Sequence, residues 1–391
     1  MTSKFFSQIV RWLIVILLIT NFPLIDNQIA YVVFIVLLGV GVLGVFIAPH
    51  LRVRLIYFDI VPAIFIATWI YGIFLGFFMN NNATFVVANF AGMSLYVIYF
   101  IMVFAAVDTQ KLVDNTFFAA VVNALYAYGF TFSILFFDGR SYLLLLRMYY
   151  APGLSVLAPF VSLMAMRLVL GNRFSSVRKY KSLGWLLFFI IPYCVLSFSK
   201  GYFASTIFMV SIIVLLLVFF TTQSLRVSAV GLSLVTCWLL GLGAGWIFYS
   251  DELRYIFSQE QSGNSTRSEQ MVYLMNETTF FGQGLGAVLE SGYVRNDAQP
   301  YGFELSYMSV LHKFGVFVGI IIWGLYALCL VIPLYKCLKN KHVYLSALAF
   351  GGMLFVVPSF GNPMLYSPVI VTLHCVVMYW IRSTMLNKNE E

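Results

Sequence analysis

Charge is what this 391-residue chain has least of: Asp, Glu, Lys and Arg together make up 10% of it, where a soluble domain carries about 25%. With 61% hydrophobic residues and a mean hydropathy of +0.92, too little polar surface remains to cover a water-facing fold, so a soluble globular class is excluded. Cysteine is sparse too. Cys194, Cys237, Cys329 and Cys375 fall in apolar stretches and Cys337 in a short basic connection, so no disulfide framework is implied. The histidines His50, His312, His342 and His374 are scattered, no two at ligand spacing, and no Asp-x-Asp pair occurs, so no metal site is expected. Charges inside apolar stretches are equally few. Arg11, Arg167 and Asp59 fall near stretch ends, where snorkelling suffices, and this speaks against an ion-coupled transporter. Neither an internal repeat nor an inverted pair of Gly/Pro-broken stretches is found.

What the chain does have is a series of apolar runs, each near the roughly 20 residues that cross a bilayer core as a helix. They fall at 5–22, 28–48, 55–79, 83–106, 112–137, 152–170, 184–199, 203–221, 228–248, 309–335, 343–359 and 365–381. The first is followed by Thr20-Asn21-Phe22-Pro23 in place of a small-residue cleavage site, so it is expected to be retained as a span. With the N-terminus in the cytoplasm, Arg140, Arg147, Lys200, Arg254, Arg267, Arg295 and Lys313 fall outside and the rest of the 23 Lys and Arg residues inside. That bias predicts an even number of spans with both ends cytoplasmic. The net charge of +8 then describes inner loops facing anionic lipid and gives no reason to expect nucleic acid as a partner. The expected fold is an all-α polytopic membrane protein of about 12 transmembrane helices. Residues 1–248 carry helices 1–9, 249–303 form one large outer loop, and 304–391 carry helices 10–12 and a cytoplasmic tail.

The loop is the long interruption. From Tyr249 to Gly302 the chain is polar yet holds Tyr255, Phe257, Met271, Tyr273, Leu274, Met275, Phe280 and Phe281, a composition that predicts order and function. Thr266-x-x-Glu269 is a capping-box pattern with Met271, Leu274 and Met275 behind it on one face. It predicts a short amphipathic helix starting at Thr266. Arg267 then sits in the first turn, where a cation opposes the helix dipole unless an anion lies against it. Phe281-Gly282-Gln283-Gly284-Leu285-Gly286 follows no expected strand and opens no helix. It reads as flexible, close-approach backbone and not as a dinucleotide site. Arg140, Arg147, Lys200 and Arg267, with Glu304 and Lys313 where the loop re-enters the membrane, would ring one membrane face with cations suited to a lipid-borne phosphate. Some of these are also expected simply as interfacial anchors.

These features together carry a resemblance. Ser199-Lys200-Gly201 stands ahead of a further span and Arg267 ahead of the glycine run. Glu304-Leu305-Ser306-Tyr307 then runs into Gly315. The pattern resembles the superfamily of bacterial O-antigen (Wzy-type) polymerases and O-antigen ligases across most of the chain. In the ligases a His-Asn pair stands where this chain has Glu304 and Leu305, which favours polymerase over ligase; Lys200 stands where an arginine is usual. The resemblance implies glycosyl transfer at the periplasmic face of the inner membrane, from a growing glycan on undecaprenyl diphosphate to a lipid-linked repeat unit. No cofactor and no metal is implied, and membrane lipid and a chain-length regulator protein are implied as partners. Glu304 and Arg267 are the catalytic candidates, as proton acceptor and as stabiliser of the leaving diphosphate. Arg147, Lys200, Arg140, Arg295, Lys313 and Tyr301 are the substrate-binding candidates. A structural role for Glu304, paired with Lys313, is the competing expectation. Transfer to a lipid A core, as a ligase, and a lipid-linked oligosaccharide flippase are the alternative functions.

Overall fold

The computed structural model describes residues 2–19, 27–47, 55–133, 152–169, 177–197, 199–220, 267–294, 300–339, 342–359 and 364–386. Among these the backbone is helical, with turns and short irregular segments and no strand. The helices are α1 (Thr2–Ile19), α2 (Asn27–Ile47), α3 (Ile60–Phe78), α4 (Ala83–Ala88), α5 (Val97–Phe104), α6 (Thr109–Ser133), α7 (Ala158–Val169), α8 (Val177–Ile190) and α9 (Lys200–Phe220). After the long connection come α10 (267–277), α11 (Ser306–Leu338), α12 (Val343–Gly352), α13 (Val356–Ser359) and α14 (Pro368–Leu386). Helical backbone thus runs through each expected apolar stretch except 228–248, which lies outside the described residues.

Among the described residues three segments are long and apolar enough to cross a bilayer: Tyr57–Phe78, Ser306–Cys337 and Pro368–Leu386. They play different parts. Of the apolar 18-residue stretch in each, 89% of the residues are buried in the last and 28% in Ser306–Cys337. α14 carries Thr372, His374, Arg382, Ser383 and Thr384, all buried, polar groups that a lipid-facing helix could not satisfy, and it packs against α12, α1, α5 and the 3₁₀ segment Ala91–Tyr96. The outward flanks of α3 and α11 instead expose Ile70, Phe74, Phe77 and Phe78, and Phe317, Ile320, Leu328 and Val331, an apolar surface that suits lipid.

Three details depart from the sequence reading. Asp59 does not snorkel: it is buried, accepts a hydrogen bond of 2.9 Å from Arg382 Nε on α14 and another from the Tyr99 hydroxyl, and receives the Ile56 N–H at 2.7 Å. A carboxylate removed from water needs such compensation, and here it ties α3 and α5 to α14. The stretch 83–106 is not one helix. Asn82 caps α4 by accepting from Thr84 N and Phe85 N at 3.0 and 3.4 Å, and Phe90 adopts a left-handed conformation (φ 52°) before the 3₁₀ segment begins. The interior also encloses His374, whose Nδ1 lies 2.9 Å from the Tyr96 hydroxyl between the rings of Phe65, Tyr326 and Phe355. The sequence reading had placed no ionisable group in such an interior.

Asp59 and Phe78 mark opposite ends of α3, about 28 Å apart at 1.5 Å per residue. The buried ion pair therefore closes one end of the bundle, and the described part of the long connection is packed on the other.

Candidate active site

The connection is fixed to the bundle by a break in α11. Gly315 has φ 82° and ψ 165° inside an otherwise helical run, and a side chain there would collide with the Phe280 carbonyl. An extended residue in a helix orphans the carbonyls before it. Those of His312 and Lys313 accept instead from Gln283 N and Gly284 N, both at 2.9 Å, while Val316 N donates to Thr279 O at 3.2 Å. On its other side the glycine run meets α3. Leu285 N donates to Gly72 O at 2.9 Å, Asn81 Nδ2 donates to Gln283 O and Leu285 O at 2.8 and 2.9 Å, and the Tyr71 hydroxyl donates to Phe281 O at 2.7 Å. Gly284 is itself left-handed (φ +77°), and a Cβ there would strike the Gly76 backbone. The run is a close-packed clamp between two helices, held on both sides.

The helix expected from the capping pattern is present as α10; Thr266 itself lies outside the described residues. Its inward face is not the methionine face. Arg267, Gln270 and Leu274, spaced i, i+3 and i+7, point to the protein, while Met271 and Met275 stand exposed. Leu274 is fully buried with Leu289, Phe303, Leu305 and Met308 in a small cluster apart from the main core. One turn earlier, Gln270 is buried and its Oε1 accepts from Glu304 N and Leu305 N at 3.0 and 3.3 Å. One turn earlier again, Arg267 Nε donates to Glu304 Oε2 at 2.7 Å, with the two side chains 24% and 11% exposed. The anion that a first-turn cation requires is thus the Glu304 carboxylate. Nothing in the sequence pattern marked Gln270, although its spacing between Arg267 and Leu274 puts it on the same stripe.

The pairing of Glu304 with Lys313 is not formed. Lys313 is fully buried, its ammonium donating to the Ala287 carbonyl and standing 4.5 Å over the Phe303 ring. Beside it His312 is also fully buried, its Nε2 4.0 Å from Glu277 Oε2 and its ring edge-on to Phe303. The Glu277 carboxylate accepts from Glu290 N and Ser291 N at 2.9 and 3.2 Å, closing the turn that follows the glycine run. Tyr301 is partly buried against Phe85 at 5.1 Å, its carbonyl accepting from Asn89 Nδ2 at 3.3 Å, and burial pushes its phenol up from the usual value. Arg140, Arg147 and Arg295 lie outside the described residues, and of Lys200 only the main chain at the start of α9 is described. Among the described residues no group of three or more His, Cys, Asp or Glu side chains gathers as a metal site would require.

The structure therefore brings together one cation, one carboxylate and the amide that holds the carboxylate's backbone, at the rim where the connection meets an apolar helix. A guanidinium carries five N–H donors in a fixed plane, of which Nε is directed at Glu304. No family model matches this chain, and no curated protein matches it.

Proposed function

We propose that the protein is a membrane glycosyltransferase that polymerises a surface polysaccharide, moving a growing glycan from an undecaprenyl diphosphate carrier onto a lipid-linked repeat unit. In this reading the twelve apolar stretches span a bacterial inner membrane with both termini in the cytoplasm, and the connection from Tyr249 to Gly302 lies on the periplasmic side. The observation that carries it is the Arg267–Glu304 pair, 2.7 Å apart at a half-buried rim. Transfer of an anomeric carbon from a diphosphate needs a fixed cation for the leaving group and a base for the acceptor hydroxyl.

The pair implies an order of events. With no donor present, each partner neutralises the other. A diphosphate bound by Arg267 takes the carboxylate's place on the guanidinium, and Glu304, released, faces the acceptor hydroxyl. The hydroxyl proton passes to Glu304, and the acceptor oxygen bonds to the anomeric carbon. The bond from that carbon to the phosphate oxygen breaks, and the electron pair leaves on the diphosphate, held by Arg267. Transfer to a lipid A core needs the same two roles. A glutamate where the ligases carry histidine favours the polymerase.

The test is Glu304→Gln, which keeps shape and hydrogen bonding but accepts no proton. Purified variant should bind lipid-linked diphosphate more tightly than wild type, because the Glu304 carboxylate no longer competes for Arg267, and should transfer about 100-fold more slowly or worse. Unchanged turnover would refute the role of Glu304. Weakened binding with a lowered Tm would make the pair a structural bridge only.

A further inference from the structure

α10 carries three faces where an ordinary surface helix carries two. At 100° per residue, Arg267, Gln270 and Leu274 form the inward face. Round one flank from it Met271, Met275 and Val272 are exposed, the last two at 57% and 56%, with the small Ser268 among them and Val272 opposite the inward face. Asn276 and Glu269 follow beyond Val272 on the other flank and are exposed. Met271 touches the rest of the protein through the Tyr307 hydroxyl, 3.8 Å from its sulfur. Large exposed apolar side chains in contiguous groups mark a contact surface.

What that surface contacts follows from where it leads. Immediately after α10, Phe280 and Phe281 are 59% and 67% exposed and pack edge-to-face at 5.0 Å. Phe280 stacks at 6.0 Å on Phe317. Phe317 is itself exposed and begins the outward flank of α11, which continues through Ile320, Leu328 and Val331 on a helix long and apolar enough to cross a bilayer. The exposed outer end of α3, Phe74, Phe77 and Phe78, adjoins the same glycine clamp. The apolar flank of α10 is thus the upper margin of the surface that α3 and α11 turn to lipid.

We infer that α10 lies in the plane of the bilayer at the boundary of headgroups and acyl chains, with Met271, Val272, Met275, Phe280 and Phe281 among the lipid chains and Glu269 and Asn276 in water. A helix with one apolar flank and a polar face beside it takes this position at an interface. The geometry places Arg267 and Glu304 at headgroup depth, so an anion that reaches the guanidinium does so along the membrane plane, on a lipid. The inference rests on α11 spanning the membrane and requires nothing of the transfer chemistry. It deepens the proposed function by setting the depth at which a lipid-borne phosphate is met.

Spin labels on single cysteines, placed as Met271→Cys, Met275→Cys, Phe281→Cys, Asn276→Cys and Ile320→Cys in a cysteine-free chain reconstituted in phosphatidylglycerol/phosphatidylethanolamine vesicles, measure this directly. Collision with oxygen reports lipid, and collision with a water-soluble nickel chelate reports solvent. The labels at 271, 275 and 281 should follow that at 320, rich in oxygen and several-fold poorer in nickel than the label at 276. Nickel access at 271 and 275 equal to that at 276 would put the flank in water and overturn the inference. Shielding from both reagents would make the flank a contact with protein and overturn it equally. A label at 320 that is open to nickel would instead remove the span itself, an outcome distinct from any loss of transferase activity.

Discussion

At the scale of single residues, two side chains carry the site, and both can be read from the sequence. Arg267 is a cation misplaced in a helix's first turn, and Glu304 is a carboxylate at the edge of an apolar run. Their pairing could not be read, because a separation of 37 positions leaves any of several cations within reach, Lys313 among them. Lys313 went elsewhere: it is fully buried, with its ammonium over the Phe303 ring and donating to the Ala287 carbonyl. If Arg267 serves the leaving group, Arg267→Ala should lower polymer formation by about 100- to 1,000-fold, the loss typical of one preorganised donor. Membrane levels should stay near wild type. The change also takes the cation at 2.7 Å away from a partly buried carboxylate, which costs stability of its own. The double variant Arg267→Ala with Glu304→Gln separates the effects. Quantified polymer from cells should remain absent in the double variant even where its Tm recovers. Polymer restored along with Tm would show a bridge that only holds the fold.

At the scale of elements, the helix α10 was legible from its capping pattern, but its orientation was not. Hydrophobic spacing points to Met271, Leu274 and Met275 as one face, and the structure buries only Leu274 of the three. The rule that apolar residues face inward assumes water outside; beside a membrane-crossing helix the exposed flank meets lipid, and the polar face is free to turn inward to the amides of Glu304 and Leu305. The glycine run is a similar case. Its backbone closeness was legible and its rigidity was not, since the partners are Gly72 and Gly76 on α3 and the broken turn of α11, all distant in sequence. Gly284→Ala tests the clamp. A left-handed backbone and overlap with Gly76 should together cost about 2 kcal/mol or more. Limited proteolysis of the connection should become faster while the bundle's helical circular dichroism is retained. Unaltered cleavage would mean that the clamp does not order the loop.

At the scale of the whole molecule, composition was enough to exclude a soluble class and to place helices. It did not tell which of them line the interior. α14 proved central because the polar groups it carries, Thr372 and His374 among them, are enclosed and Arg382 finds Asp59, a pairing across 323 positions that no local pattern announces. With that pair at one end of the bundle and the clamp with Arg267 and Glu304 at the other, the two ends of α3 stand about one bilayer core apart. The arrangement suits an enzyme that works on lipid-borne substrate at one membrane face. The most direct measurement is a reconstitution: purified protein in vesicles with undecaprenyl diphosphate-linked repeat units as the sole glycan, products resolved by length. The account predicts a ladder of lipid-linked oligomers rising by one repeat unit at a time, formed with chelator present and released undecaprenyl diphosphate matching the number of bonds made. Repeat units recovered unjoined from active-site-intact protein, with no carrier released, would contradict it.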